Sequence, residues 1–418
     1  MENRVFLNDL LDLSQATELR SLYEAMDAAA RRAGMRETVS QLIATKAHNT
    51  PLLIVVEDIH WADDLTFGEV IALVSVVGDQ PSILVATSRI EGKTLQQEWL
   101  ASLRGSPLTT MELQPLRIDE ARRLARDLIG EETTNLDAYV ERADGNPLFL
   151  EQLTHGSMDQ PSDLPDTLQG LVLARMDLLA TRDRSALRAA SVLGQHFSLD
   201  SLRFLMNDRT YSCTGLMEHQ LVRPEGAGYL FAHALIQEGV YASLLHDRRR
   251  ALHARAAEWF KDRDLTLHAT HLDREDSASA AGAYLAAAQE QARDARFERA
   301  LQLVSRGLEL APEAESYELN LFQGELLRNL ASVPESIVAY QRAITVSQGE
   351  SDICRALIGV AEGLRLRDRH SELLATLEQA EATAEAQQLK AERARIYQLR
   401  GNVHFIRGEE EKKRGACG

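Results

Sequence analysis

The chain has 418 residues, 44% of them apolar and 5% aromatic, with 46 Lys and Arg against 63 Asp and Glu for a net charge of −17. At about 150 residues per domain this length holds about two to four domains. The apolar content excludes a wholly disordered chain, and the acidity makes a nucleic-acid backbone a poor global partner.

Leu19 to Ala44 is apolar at helical period. Pro51-Leu52-Leu53-Ile54-Val55-Val56 is a short continuous apolar run, which predicts a strand buried on both faces of a parallel sheet. Leu65 to Val77 reads as a helix, Ser82 to Thr87 as a second buried strand and Met111-Glu112-Leu113 as a third. Strands separated by helices predict βαβ units, so this first part is α/β. Arg117 to about Asp159 is helical in pattern, as is Leu164 to about Gln220. Leu221 to Leu230 reads as a hairpin with Gly226 and Gly228 at its turn, and helices followed by a hairpin is the order of a winged helix.

From Phe231 no strand signal remains, and an internal repeat emerges. Ala300-Leu301, Val304 and Gly307-Leu308 recur 36 residues later as Ser336-Ile337, Tyr340 and Ala343-Ile344. They recur 37 residues further on as Leu373-Leu374, Leu377 and Ala380. Small residues at fixed places in repeats of this length predict helix pairs stacked as a tetratricopeptide-like solenoid. Tyr397 to Arg407 reads as the first helix of another repeat. The expectation is that it has no partner helix, because Gly408 to Gly418 follows and the chain stops. That ending suggests a truncated or frame-shifted product.

Cys213, Cys354 and Cys417 are odd in number and far apart, which fits neither a disulfide framework nor a metal knuckle and suits a reducing, cytoplasmic setting. No apolar run approaches the ~20 residues of a membrane span. Met1 to Leu13, with three acids among its leucines, is unlike a secretory signal.

The stretch richest in chemistry is Leu52-Leu53-Ile54-Val55-Val56-Glu57-Asp58-Ile59-His60-Trp61-Ala62-Asp63. A strand that ends in two acids has the Walker B design, in which one carboxylate orients Mg²⁺ and the next polarises the attacking water. With its continuation to Asp63, the segment resembles the Walker B region of STAND-type signalling ATPases, relatives of AAA+ proteins. The resemblance is nearest to the bacterial group in which such an ATPase and tetratricopeptide repeats follow a class III adenylate/guanylate cyclase domain. It covers essentially the whole chain.

The resemblance implies a mostly α chain with an N-terminal α/β part. Residues 1–116 would be a partial nucleotide-binding domain on an AAA+/P-loop sheet, 117–160 a helical lid and 161–245 a winged helix. Linking helices would fill 246–277, and residues 278–418 would be tetratricopeptide-like repeats. It also implies ATP or ADP with Mg²⁺ as cofactors. Glu57 and Asp58 take the catalytic and metal-binding places, with Glu57 where family members often carry Asp. Arg89, in Thr87-Ser88-Arg89, takes the sensor place that reads the γ-phosphate. Pro147, in Asp144-Gly145-Asn146-Pro147-Leu148-Phe149-Leu150-Glu151, takes the lid place near adenine, 90 residues after Glu57. His233 takes the winged-helix place on the ADP β-phosphate. The basic run Asp247-Arg248-Arg249-Arg250 to Arg255 reads as a solvated face or a domain contact rather than a DNA-binding element. The solenoid is expected to meet a protein partner or inducer; no membrane is implied, and self-association stays open.

A P-loop needs Gly-x-x-x-x-Gly-Lys-Ser/Thr between a strand and a helix, and the sequence has none. Gly92-Lys93-Thr94 has Thr87 where the first glycine should stand. Without the amides and lysine that make the anion hole, several charge-assisted hydrogen bonds of roughly 1.5–3 kcal/mol each are missing. ATP binding by this chain alone is therefore expected to be weak or absent, and no cyclase activity is expected. Two other readings stay open: a transcription regulator lacking its DNA-binding end, and a nucleotide-free interaction scaffold.

Overall fold

The structure is a computed structural model that describes residues 3–11, 13, 16, 19, 23, 26, 28–62, 64–78, 80–88, 108–129, 136–154 and 167–416. The chain divides into two compact units, Met1–Glu112 and Leu113–Gly418.

In the first unit, α1 (Asn3–Leu10) packs on α2 (Ala28–Asn49). Of the helix expected over 19–44, Leu19 and Tyr23 are helical, residues 20–22, 24, 25 and 27 lie outside the described residues, and the helix from Ala28 runs on past Ala44 to Asn49. After α2 come β1 (Leu52–Val56), a 3₁₀ turn (Ile59–Trp61), α3 (Asp64–Gly78) and β2 (Ser82–Ala86). β1 and β2 pair in parallel, Leu53 opposite Ile83 and Val55 opposite Val85. α2 rests on β1 and α3 on β2.

Two expectations fail here. The strands are not buried on both faces: Leu53 is 67% exposed and Ile83 64%. Their apolar runs match those of central parallel strands, but only one face of the described sheet is covered. Nor is there a third strand at Met111-Glu112-Leu113, which is irregular with Met111 and Leu113 exposed. A strand exists only where a ladder partner accepts its backbone groups, and β2 pairs with β1 alone among the described residues.

The second unit opens with α4 (Ile118–Ile129), α5 (Leu136–Ala143) and α6 (Pro147–Thr154), which pack pairwise around Ala121, Ala125, Tyr139, Leu150 and Leu153. Next come α7 (Leu168–Leu178), α8 (Thr181–Leu193), β3 (His196–Phe197), α9 (Leu199–Met206) and α10 (Thr214–Glu218). The expected hairpin follows as β4 (Val222–Glu225) and β5 (Gly228–Phe231). β3 joins it to give the antiparallel order β3-β5-β4. Sequence pattern does not reveal β3, because two residues carry no periodicity. Leu187, Leu202, Leu216, Leu221 and Phe231 fill one core beneath this sheet.

α11 (Ala234–Ala242), α12 (His246–Phe260) and α13 (Leu265–Arg274) enclose a buried polar cluster. The Tyr241 hydroxyl meets His253 Nε2 at 2.9 Å, and His253 Nδ1 meets His271 Nδ1 at 2.9 Å. Phe260 stacks on the His271 ring. Burial first, then the neighbouring His271 and the arginines Arg274 and Arg249, push the His253 pKa down to about 3. Burial, Arg274 and His268 push His271 down to about 4. Both imidazoles are therefore neutral in the folded chain near pH 7.

The remaining described residues form helices only: α14 (Ala280–Arg293), α15 (Phe297–Leu310), α16 (Tyr317–Asn329), α17 (Val333–Val346), α18 (Glu350–Leu366), α19 (His370–Ala386) and α20 (Lys390–Ala416). Each packs on the next. The first helices of successive pairs also touch in series, α14 on α16, α16 on α18 and α18 on α20. The recurring residues all lie on the second helices; Ala300 and Val304, Ser336 and Tyr340, and Leu373 and Leu377 are buried, while Leu301, Leu308, Ile337, Ile344 and Leu374 are half-buried beside them. Tyr340 shows why the first helices carry small residues as well. A Cβ on Gly324 would stand 2.7 Å from its ring and one on Gly359 2.5 Å, so two first helices close on one aromatic side chain only because both positions are glycine.

Glu362 of α18 is buried and joins three of these helices. Its Oε1 accepts from Arg395 Nε of α20 at 2.8 Å, and its Oε2 pairs with Arg328 of α16. α20 does not stop near Arg407 but continues to Ala416. No described helix is long and apolar enough to cross a membrane.

Candidate functional site

The two acids of the Walker B-like segment stand where β1 ends. Glu57 and Asp58 are both exposed. Asp58 adopts φ 53°, ψ 43° and opens the 3₁₀ turn. Left-handed backbone is costly for most residues and tolerated by Asp. Thr87, just past β2, holds the turn in place. Its Oγ1 accepts the Asp58 N–H at 2.9 Å, its carbonyl accepts the Ile59 N–H at 2.9 Å, and its N–H donates to the Val56 carbonyl at 3.0 Å. Ile59 is buried beneath, and His60 Nδ1 lies 3.8 Å from Asp58 Oδ1. The two acids thus stand exposed at the C-terminal edge of the parallel strand pair, with the Asp58 backbone held by Thr87. Among the described residues no group of three or more His, Cys, Asp or Glu could hold a metal ion. Arg89 and the Gly92-Lys93-Thr94 tripeptide lie outside the described residues.

Pro147 and His233 lie in the second unit. Asp144 and Gly145 both take positive φ, 46° and 75°, and turn the chain from α5 into α6. A Cβ on Gly145 would fall 2.7 Å from the Leu116 carbonyl oxygen, and the Leu116 N–H donates to the Gly145 carbonyl at 2.8 Å. Only glycine satisfies both the angle and the approach. The Asn146 side chain then caps α6, its Oδ1 accepting the Phe149 N–H at 3.1 Å. Pro147 is the first helical residue, where its missing N–H costs nothing, and its side chain is exposed. Phe149, Leu150 and Leu153 anchor the opposite face.

His233 precedes the first residue of α11 and makes no side-chain capping bond there. Its Nε2 lies 3.9 Å from Glu151 Oε2, one turn of α6 beyond Pro147. The structure thus brings His233 to the same helix as Pro147.

Sequence reasoning missed Arg175 of α7, which lies alongside. Its guanidinium is buried and donates to Gln152 Oε1 and to the His219 carbonyl. Burial lowers its pKa from the ordinary value, and the Glu151 carboxylate opposes that. The signal was an arginine inside the apolar run Leu171-Val172-Leu173-Ala174-Arg175-Met176. A buried cation needs partners, and here they come from elements distant in sequence.

The basic run is engaged inside the unit. Arg249 covers the Tyr241 ring at 4.6 Å and donates to the Leu244 carbonyl. Arg250 donates to the Glu275 carbonyl at 2.8 Å, and Arg255 to the Phe204 carbonyl at 2.6 Å.

No protein-family model matches the chain. An uncharacterized protein of Rhizobium meliloti (strain 1021) is 29% identical over 234 residues, which make up 49% of this chain and 22% of that protein. The chain thus spans less than a quarter of the curated relative it matches. Among solved structures, the Signal Transduction ATPase with Numerous Domains (STAND) protein with a tetratricopeptide repeat sensor, PH0952 from Pyrococcus horikoshii, aligns over 90% of this chain and 68% of its own, with 13% identity and a TM-score of 0.44.

Proposed function

We propose that this chain is the C-terminal part of a STAND-type signalling ATPase of the cyclase-associated kind. ATP or ADP would act as the switch in the intact protein, and the helical array as the surface that meets a protein partner or inducer. The observation that carries this reading is the array itself. First helices in serial contact, with the recurring small and apolar residues buried behind them, leave one continuous helical face for a partner.

In this reading residues 1–116 belong to a nucleotide-binding domain, 117–160 to its lid, 161–245 to a winged helix, 246–277 to linking helices and 278–418 to tetratricopeptide-like repeats. The protein works in the cytoplasm. The oxygen donors of Glu57 and Asp58 fit Mg²⁺, which keeps several waters and takes one or two carboxylates. Bound there with ATP, Mg²⁺ would neutralise charge on the phosphates. Glu57 and Asp58 hold the negative charge that attracts the ion, and Thr87 anchors the backbone at Asp58. Arg89, Pro147 and His233 would meet the γ-phosphate, adenine and β-phosphate respectively. These residues do not grip a polyphosphate by themselves, since two carboxylates repel it.

A specific observation favours a second reading, a nucleotide-free scaffold: the sequence has no Gly-x-x-x-x-Gly-Lys loop. One experiment separates the two. The DNA on both sides of the coding sequence is read in all frames, and Mg·ATP is titrated by calorimetry into this chain and into the joined product. The switch reading expects a phosphate loop in the flanking DNA, micromolar binding by the joined product, and affinity lower by several orders of magnitude in this chain. A missing loop, or equal affinity in both, overturns it in favour of the scaffold.

A further inference from the structure

Two hollows lie in line along the array's first helices. The larger, about 520 Å³, takes Ala281, Gly282 and Leu285 from α14. The smaller, about 290 Å³, takes Gln289, Ala292 and Arg293 from the same helix. Steps of three and four residues put all six on one stripe. α16 matches them, with Glu318 and Leu319 at the larger hollow and Phe322, Glu325 and Leu326 at the smaller. Both hollows therefore lie along the furrow between α14 and α16, with no lining residue in common.

Its chemistry is uneven. Glu315 and Glu318 stand exposed at the larger hollow, and neither Lys nor Arg lines it. Glu318 shares its charge with Arg355 at 3.3 Å, and His268 turns its Nδ1 to the Ala257 carbonyl at 2.8 Å. Gly282 is exposed at the larger hollow, and a Cβ built on it meets no atom within 4 Å. The smaller hollow is walled by Phe297 and Phe322. From Glu318 to Glu325 the helix rises ~10 Å. Three residues of extended chain, at ~3.3 Å each, cover that distance.

We propose that this furrow takes a peptide segment of a protein partner carrying a Lys or Arg and an apolar residue three positions apart. The cation lies beside Glu315 and Glu318, and the apolar side chain against Phe297 and Phe322. This rests on the interaction-surface reading above and names the chemistry of the partner. The acidic rim selects for charge and the aromatic walls supply the apolar burial.

The test is selection by the full chain from a random peptide library displayed on phage. Fluorescence anisotropy then compares fluorescein-labelled Gly-Ser-Lys-Ala-Ala-Leu-Ser-Gly with the same peptide carrying Glu for Lys. The expected result is enrichment of basic and apolar residues three apart, with the Lys peptide bound about tenfold or more tightly and its advantage shrinking as salt rises. Gly282→Trp, which fills open space, should abolish binding. Glu315→Lys with Glu318→Lys should reverse the charge preference, and circular dichroism melts check that each variant folds. Selected peptides of other composition, or binding that survives Gly282→Trp, overturn the furrow and leave the interaction-surface reading standing. No selected peptide also overturns the furrow, while the nucleotide-switch reading is decided separately by the Mg·ATP titration.

Discussion

The helical array and the parallel sheet treat their apolar residues in opposite ways. In the array Val304, Tyr340 and Leu377 occupy corresponding places and are 0%, 3% and 0% exposed. In the sheet, alternate residues of both strands face water, Leu53 and Val55 on β1 and Ile83 and Val85 on β2. Each helix pair of the array finds the partner for its apolar face in the next few dozen residues. A parallel sheet depends on crossover helices and further strands that sequence-local contacts do not supply. A repeat therefore completes its own core as it grows, and a two-stranded parallel sheet does not.

The largest effect expected from this contrast is at Tyr340. Tyr340→Ala leaves a cavity between Gly324 and Gly359 and should cost the array about 4 kcal/mol in urea unfolding followed by circular dichroism. A loss under about 1 kcal/mol would mean that the helices collapse into the space, and that the notch is not what sets their spacing.

Acid should act next most strongly, and on the second unit. The unfolded chain protonates His253 and His271 near the ordinary imidazole value of 6.5, whereas the folded chain does so only at about 3 and about 4. Between those values the unfolded state binds more protons, so stability present above pH 6.5 is lost as pH falls. At about 1.4 kcal/mol per pH unit per proton, moving from pH 7 to pH 5 titrates both imidazoles in the unfolded chain and should cost just under about 4 kcal/mol. Chemical denaturation across that range measures it. A slope that His253→Phe leaves unchanged would assign the acid sensitivity elsewhere.

The smallest effect belongs to the sheet. Val55→Thr and Ile83→Thr should each shift stability by less than about 0.5 kcal/mol, because their side chains already meet water. Losses of several kcal/mol in thermal melts of the full chain would show that this face is covered in solution, and would remove the contrast.

The sequence makes the two regions legible to different depths. The array could be read because its buried positions recur at a fixed spacing and its helices are long. The hairpin could be read because Gly226 turns the chain between two short runs, although Gly228, expected at the turn, is already the first residue of β5. The strand runs β1 and β2 were equally plain, but their surroundings were not. Leu52 to Val56 reads as a central strand, and whether its second face is covered depends on elements far along the chain. The same non-locality hid the pairing of Arg175 with Gln152 and of Glu362 with Arg328 and Arg395. Glu57 and Asp58 were visible as residues, and the hydroxyl of Thr87 that accepts the Asp58 N–H was not. That hydrogen bond joins positions 29 residues apart, with no pattern between them.

Glu362 gives the array a mechanical property. Residues 328, 362 and 395 fall on three successive first helices, so one buried carboxylate ties neighbours on both sides of its own helix. In a stack whose stability is a sum of nearest-neighbour terms, ends normally fray one helix at a time. Here the release of α20 strands a carboxylate that α16 also uses, so opening one interface weakens the next. Backbone amides of α16, α18 and α20 should therefore exchange with solvent deuterium as one block, and the C-terminal half of the array should open as a single stiff leaf.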